Sequence, residues 1–151
     1  EDLFTFGDLE AKGKKAKTIN IEFGAASAGY EWDGEQWLRF DEGSASMTES
    51  GEQIAVDNVL IEEHRIDYSE ITDVVGAAST IIKDVTGSGR AVLFRDGRAI
   101  TGRWERDSVD DPVRFVTKSG DEMVFAPGVT WIELVPSDKG EAKGSFSYAK
   151  N

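Results

Sequence analysis

The sequence predicts an all-β fold, mostly antiparallel, in which hairpins build a β-sandwich or a partly open barrel with at most one short helix. Its 151 residues include 16 glycines and only three prolines, and the β-branched and aromatic residues fall in short runs. Turn dipeptides separate several of these runs, at Asp33-Gly34, Asp96-Gly97 and Ser119-Gly120. Short strand-like runs joined by tight turns are typical of sandwiches and barrels.

The length and composition predict one β-rich domain over residues 1–151. Hydrophobic residues make up 39% of the chain, which is enough to form a core, and 151 residues are few for two domains. A polar stretch interrupted by glycine predicts a flexible lead-in over residues 1–17. The polar, glycine-containing sequence beyond Pro136 predicts a tail over residues 137–151.

Charge and cysteine content exclude several classes of function. Lys and Arg total 17 against 29 Asp and Glu, so the formal net charge is −12, which predicts no binding to nucleic acid or to anionic lipid. The absence of cysteine excludes disulfides, thiolate catalysis and cysteine-bound metal. No apolar run is long enough to span a bilayer, so we expect membrane contact only through an anchor outside this chain.

Alternation and turn signals predict the strands of the first half. Residues 18–23 alternate apolar and polar side chains, as a strand with one buried face requires. Two aromatic-rich runs flank Asp33-Gly34 and predict a hairpin. Residues 56–62 and 79–85 also favour strands. Between them, residues 67–70 could open a helical turn with Ser69 as its N-cap.

The strongest local signal is a hairpin that turns at Asp96-Gly97. A two-residue loop would pair Arg95 with Arg98 and Arg90 with Arg103, and like charges at directly opposite positions are unfavourable. A three-residue loop with the glycine as the bulge residue separates the arginines. We therefore predict the bulged loop, which collects one apolar face made of Val92, Phe94, Ile100 and Trp104.

Two further strand pairs are predicted near the C-terminus. Residues 113–117 and 122–125 form a hairpin around Ser119-Gly120. Residues 129–135 form the last strand, which Pro136 ends. Because this strand carries apolar residues on both faces, we predict that it is central in its sheet.

The residues that could carry catalysis are few. His64 is the only histidine, and we interpret it as an edge residue paired with Glu62 or Glu63, which leaves no Ser-His-Asp triad. The Gly-rich residues 87–90 lack a phosphate-loop ending and indicate a turn. The acidic loop at 107–111 does not match an EF-hand, and calcium there is left open. No metal site and no cofactor is predicted.

The tryptophans are the best candidates for a binding surface. Tryptophan at strand positions is more often a core residue, but the first two flank the exposed turn at 33–36 and could stack on a sugar ring or a peptide. The predicted ligand-binding residues are Trp32, Trp37, Arg39, Asn58 and Arg103.

Three stretches of the second half carry a family resemblance. Residues 89–97 read GRAVLFRDG, residues 102–104 read GRW, and residues 127–132 read PGVTWI. They resemble the C-terminal domain of the YerB-like family of bacterial lipoproteins, whose function is unknown. Matches at 30–33, 37–39, 48–53 and 58–61 extend the resemblance over roughly residues 18–136. Where the family is expected to carry a His-x-Asp pair, this chain has Ala45-Ser46-Met47.

The resemblance implies an extracellular protein that is anchored to the membrane by a lipidated cysteine and has a larger N-terminal domain. It transfers no catalytic residue. The favoured hypothesis is a non-catalytic cell-envelope domain that binds a protein, peptide or glycan partner. One alternative is a carboxylate-dependent hydrolase acting on cell-wall polymer, for which the acidic excess is the motive. Another is a structural packing domain for the N-terminal domain.

Overall fold

The computed structural model describes residues 4–8, 13–72 and 78–151; for residues 70–72, 78 and 79 it describes the backbone. The described residues form strands and turns and contain no helix, as the predicted all-β class requires. The strands are β1 Thr5–Phe6, β2 Lys14–Lys15, β3 Thr18–Phe23, β4 Ala26–Trp32, β5 Trp37–Asp41, β6 Ser44–Ala45, β7 Ala55–Val56, β8 Asn58–His64, β9 Ile66–Thr72, β10 Ala78–Ile82, β11 Gly87–Arg95, β12 Arg98–Arg106, β13 Arg114–Thr117, β14 Val124–Phe125, β15 Thr130–Pro136 and β16 Gly144–Ala149.

Two six-stranded sheets pack against each other as a sandwich. The first sheet has the order β13-β12-β11-β8-β15, with β2 also paired to β12. The second sheet has the order β16-β3-β4-β5-β6, with β7 also paired to β5. All pairs in both sheets are antiparallel except β8 with β15. Two small pairs, β9 with β10 and β1 with β14, lie outside these sheets.

The main core lies between the two sheets. It combines Ile19 and Ile21 of β3 and Tyr30 of β4 with Val92 and Phe94 of β11, all of them buried. Alternation along each strand places these side chains on the inner faces. A second cluster covers the opposite face of the first sheet, and its buried members are Leu60, Ala91, Leu93, Trp104, Phe115, Met123 and Phe125. The first sheet is therefore buried on both faces around β11.

Several sequence predictions are confirmed. β3 forms with its alternating buried face, and β4 and β5 pair across Asp33-Gly34 with Trp32 opposite Trp37. Gly34 has φ +106°, a conformation that glycine adopts without strain. The turn at Ser119-Gly120 also forms, with the Gly120 amide donating to the Thr117 carbonyl.

The predicted register of the Asp96-Gly97 hairpin is wrong. The loop has two residues, both with positive φ (51° and 69°), as in a type I′ turn. Arg95 lies opposite Arg98, and Arg90 lies opposite Arg103. As a result, Ile100 and Trp104 share a face with Leu93 and not with Val92 and Phe94.

The like-charge pairs are tolerated because each arginine has its own acceptors. Arg95 is 3% exposed, and its guanidinium donates to the carbonyls of Gly7 and Val124 as well as to Asp96. Arg90 donates to Glu63 and lies over the ring of Phe146. These separate partners offset the repulsion between the paired arginines, which an isolated hairpin would not compensate.

The predicted central position of the last strand is also wrong. Among the described residues, β15 pairs only with β8 and is the edge of the first sheet. Its inward side chains, including Glu133 and Val135, are buried, whereas Ile132 and Leu134 on the opposite face are 42% and 38% exposed. The second covering cluster does not reach this edge.

The helical turn predicted at residues 67–70 does not form. These residues belong to β9, which pairs with β10 from Ile66 opposite Ile82 to Thr72 opposite Ala78. The buried Asp67 carboxylate accepts a hydrogen bond from the Glu141 amide of a distant loop, a tertiary contact that holds this strand in place.

The lead-in and the tail contribute strands, contrary to the prediction. Residues 144–149 form β16, because Phe146 and Tyr148 alternate with small residues and pack on the main core. In the lead-in, β2 pairs with β12, and Ala16 is 1% exposed. Residues 1–3 and 9–12 of the predicted lead-in lie outside the described residues.

Candidate functional site

The five predicted ligand-binding residues do not converge on one site. Trp32 and Trp37 are in contact, with ring centroids 5.3 Å apart, but Trp37 is completely buried. Trp32 is half-buried and lies against Gly97 at the tip of the other hairpin. Arg103 of β12 lies six residues beyond Gly97, which is about 20 Å at the rise of a strand. Of these candidates, Trp32 and Arg103 retain surface for a ligand.

Asn58 holds the backbone of a turn. It is completely buried, and its side-chain amide donates to the Ala126 carbonyl at 2.8 Å and to the Thr130 hydroxyl at 3.1 Å. Its side-chain oxygen accepts from the Ala126 amide at 2.9 Å. With all these groups satisfied inside the fold, Asn58 fixes the start of β15 and has no exposed surface for a ligand.

Arg39 belongs to a polar cluster that links the two sheets. Tyr30 of β4 donates its hydroxyl proton to Glu133 of β15 at 2.6 Å, and Arg39 of β5 donates to the Tyr30 oxygen at 3.2 Å. The guanidinium also lies 5.2 Å from the centre of the Trp131 ring. Burial and the hydrogen bond to Glu133 raise the pKa of Tyr30, so its hydroxyl remains a donor.

The outer side of this cluster is also paired. Arg39 contacts Asp41, and Ser46 donates to the same carboxylate. The Ser46 hydrogen bond and the Arg39 charge lower the pKa of Asp41, although burial opposes them. The cluster stabilises the contact between the sheets, and we assign it no chemistry.

His64 occupies an unexpected position between two carboxylates. Its Nε2 lies 3.1 Å from Glu62 and its Nδ1 lies 3.0 Å from Asp84, and the ring stacks on Trp104 at 4.4 Å. The predicted pairing with Glu62 is confirmed, but the residue is 7% exposed and lies on an internal strand. Burial alone would lower the pKa of His64, but the hydrogen bonds that the ring donates to both carboxylates outweigh it, so the pKa is raised.

The sequence does not reveal this arrangement because Asp84 and Trp104 are distant from His64 along the chain. The indole of Trp104 donates to the Glu63 carbonyl at 2.8 Å, which fixes the ring under the imidazole. With both imidazole nitrogens bonded to carboxylates, no nitrogen is left to activate a nucleophile. The geometry indicates a structural ion pair.

The edge of β15 exposes main-chain and apolar groups together. The carbonyl of Val129 accepts from the Asn58 amide, and the amide of Ser137 donates to the His64 carbonyl. In a parallel pair, alternate residues of a strand direct their main-chain groups to the same neighbour. Because Val129 and Ser137 face β8, the main-chain groups of Ile132 and Leu134 point away from it. These are also the residues with exposed side chains.

Carboxylates line several surface cavities. A cavity of about 680 Å³ beside β12 includes Asp8, Asp121 and Glu122 in its lining, and all three are exposed. Within the residues that the structure describes, no group of three or more acidic or histidine side chains could hold a metal ion. The described part of the chain likewise has no helix suited to crossing a membrane.

Comparison with known proteins agrees with the fold. Residues 19–132 match the family model described as "Protein of unknown function (DUF3048) C-terminal domain". The chain is 30% identical over 111 residues to the "Putative lipoprotein YerB" of Bacillus subtilis (strain 168), which covers 71% of this chain and 30% of YerB. It is also similar to the crystal structure of the YerB protein from Bacillus subtilis, with a TM-score of 0.66 and 24% identity over 95% of this chain.

The crystal structure shares the fold, and this chain corresponds to 46% of it, so the chain spans less than half of the relatives it matches. The motif around Asp96-Gly97, the Gly-Arg-Trp of β12 and the start of β15 all lie inside the matched range. The family resemblance predicted from those motifs is confirmed. The chain therefore belongs to the family of unknown function DUF3048, as its C-terminal domain.

Proposed function

We propose that this domain is a non-catalytic binding module of an envelope lipoprotein, and that the free edge of β15 receives an extended segment from the preceding part of the same protein. The observation that carries the proposal concerns Ile132 and Leu134 of β15. Their main-chain groups have no strand partner among the described residues, and their apolar side chains are exposed. An extended peptide that adds to such an edge gains main-chain hydrogen bonds and buries alternate side chains.

The edge lacks much of the usual protection against pairing. Exposed edges are commonly guarded by lysines, charges or bulges. The one charged residue within β15, Glu133, points inward and is satisfied by Tyr30 and Arg39. Pro136 has no amide proton and limits the free edge at its end. The open segment is thus short, apolar and defined at one end.

The occupant is inferred from the family. The matched model is named a C-terminal domain, and more than half of the YerB chain lies outside the similar region. Such proteins have a long preceding segment at high local concentration, which favours intramolecular docking over a separate partner. The envelope location rests on the lipoprotein name of the relative.

Hydrogen exchange tests this proposal. The amides of β15 that do not bond to β8 are expected to exchange within seconds in this domain alone and to be protected at least tenfold in the full-length protein. Ile132→Lys and Leu134→Lys should abolish the added protection, because they place a charge in the contact. Val109→Lys is the matched control, since Val109 is 61% exposed in a distant loop.

Equal exchange of β15 in the two proteins would refute intramolecular docking. Protection that survives both lysine substitutions would also refute it, because the contact would then lie elsewhere. A role for β15 in binding a separate polypeptide would in that case need its own evidence.

A further inference from the structure

We propose that the cavity beside Trp32 binds a short acidic glycan, a sugar chain that carries carboxylate or phosphate groups. The cavity has a volume of about 680 Å³, which is within the usual range for small-ligand sites. It lies where the tips of two hairpins meet, one turning at Asp33-Gly34 in the second sheet and one at Asp96-Gly97 in the first.

The lining of this cavity is rich in positive charge, although the protein as a whole is acidic. The chain carries a net charge of −12, yet the lining contains four cations. These are Lys15, Lys17, Arg98 and Lys150. Such a concentration of positive charge on an acidic surface attracts a small anion from solution.

Two acidic side chains, Asp33 and Asp96, also line the cavity, and both accept hydrogen bonds from within the protein. Asp33 accepts hydrogen bonds from the amides of Glu35 and Gln36, both at 2.8 Å, which lowers the pKa of its carboxyl. Asp96 accepts from the Arg95 guanidinium at 2.8 Å. Within the described residues, none of the three lysines forms an ion pair, so their charges remain available.

The frame that carries the cations is rigid because its backbone is tied to both sheets. The Ala16 amide donates to Gly97 at 2.8 Å, and the Lys17 amide donates to Ala149 at 2.7 Å. The Trp32 amide donates in turn to the Lys17 carbonyl at 2.8 Å. The segment from β2 to β3 therefore passes from one sheet to the other along the cavity wall.

These bonds also select the class of ligand. The amides of Ala16, Lys17 and Trp32 and the carbonyl of Lys17 are already paired within the wall, so these groups do not bind the main chain of a peptide. Recognition must come from side chains, namely an indole for an apolar ring face and ammonium groups for acids. An acidic sugar offers both. The negative field of the whole protein limits the ligand to a short chain, because a long polyanion would meet repulsion outside the cavity.

The test uses calorimetry with the 151-residue protein and defined oligosaccharides. Trigalacturonate carries carboxylates, a mannose 6-phosphate trisaccharide carries phosphate, and maltotriose is the neutral control. We expect at least one acidic probe to bind at least tenfold more tightly than maltotriose, and the two acidic arms show which acid group the cavity prefers. Lys15→Ala and Lys150→Ala should each weaken binding roughly fivefold, the loss of one charged contact.

Lys139→Ala is the matched control, because Lys139 is an exposed lysine that does not line the cavity. It should change the dissociation constant less than twofold. The indole ¹⁵N–¹H resonance of Trp32, assigned with Trp32→Phe, should shift on titration with the acidic probe.

Three results would overturn the proposal. They are no binding of either acidic sugar, binding that Lys15→Ala and Lys150→Ala leave unchanged, and tighter binding of hexaglutamate than of both acidic sugars. The last result would assign the cavity to an acidic peptide. None of these outcomes depends on β15, so the cavity and the strand edge are tested separately.

Discussion

β11 and β15 carry similar patterns of side chains but occupy opposite positions in the first sheet. Each has apolar residues on both of its faces. β11 lies between β8 and β12, and its adjacent residues Val92 and Leu93, one on each face, are both completely buried. In the described part of the chain, β15 has a neighbour on one side only, β8, and its Ile132 and Leu134 remain more than one third exposed.

This difference shows what a strand with two apolar faces does and does not indicate. The pattern indicates two contact surfaces, but the second surface need not be covered by the same domain. In β11 both layers are present, one between the sheets and one beneath Trp104. In β15 the described residues cover only the inner face, and the side chains of the outer face stay exposed.

The largest loss of stability is expected at Gly102 of β12, the strand next to β11. Gly102 pairs with Ala91, and a Cβ at Gly102 would collide with the backbone of Val116 and lie 2.9 Å from the Thr117 Cα. Gly102→Ala should therefore separate β12 from β13 and lower the free energy of unfolding by about 3–4 kcal/mol. Urea denaturation measures this.

Gly7→Ala is the control for that substitution. A Cβ at Gly7 would meet a single side-chain methyl group, Val124 Cγ1 at 3.2 Å, which can move aside. The expected loss is below about 1 kcal/mol. Equal stability of the Gly102 variant and the wild type would contradict the close backbone approach.

The comparison of β11 with β15 is tested most directly by two matched truncations. Leu93→Ala should cost about 3 kcal/mol, because it leaves a cavity in a completely buried cluster. Leu134→Ala should cost less than about 1 kcal/mol in this domain, since the side chain is 38% exposed. Similar losses at the two positions would mean that the outer face of β15 is covered.

A smaller, pH-dependent loss of stability is expected at His64 of β8, the strand between β11 and β15. The folded protein holds the pKa of His64 above its ordinary value, so the stability from its charge is fully present below that value and is lost as the pH rises through the folded pKa. His64→Gln should therefore cost about 1–2 kcal/mol at pH 5.5 and less at pH 9.

Unfolding by urea across this pH range, with wild type and variant measured in parallel, isolates the His64 contribution because the other titrating groups are common to both. A stability difference that grows with rising pH would contradict an imidazolium held between Glu62 and Asp84.

The sequence was sufficient for the fold class and for the positions of three turns, at Asp33-Gly34, Asp96-Gly97 and Ser119-Gly120. Alternation identified β3, and Asp-Gly dipeptides identified two hairpins, since these signals are local. The register of the Asp96-Gly97 hairpin was not predictable from its own residues. Arg95 is stabilised by carbonyls of Gly7 and Val124, which are distant along the chain.

The candidate sites were predicted in part. Trp32 was identified because it flanks an exposed turn, but Lys15 and Lys150 were not, since only the folded chain brings them to the same cavity. Trp37 was selected because it flanks the same turn, but burial removes both Trp37 and Asn58 from the surface. The free edge of β15 was missed because its apolar pattern is the same as that of a central strand.

The parallel pairing of β8 with β15 also has a consequence for the order in which the sheet can assemble. Asn58 and Thr130 are 72 residues apart, whereas β11 and β12 are joined by two. Closing the longer loop costs more chain entropy, so the hairpin can form early while β15 must wait for a chain already largely organised. During that interval the edge of β8 is open in the place that β15 will occupy, and an unrelated strand could compete for it.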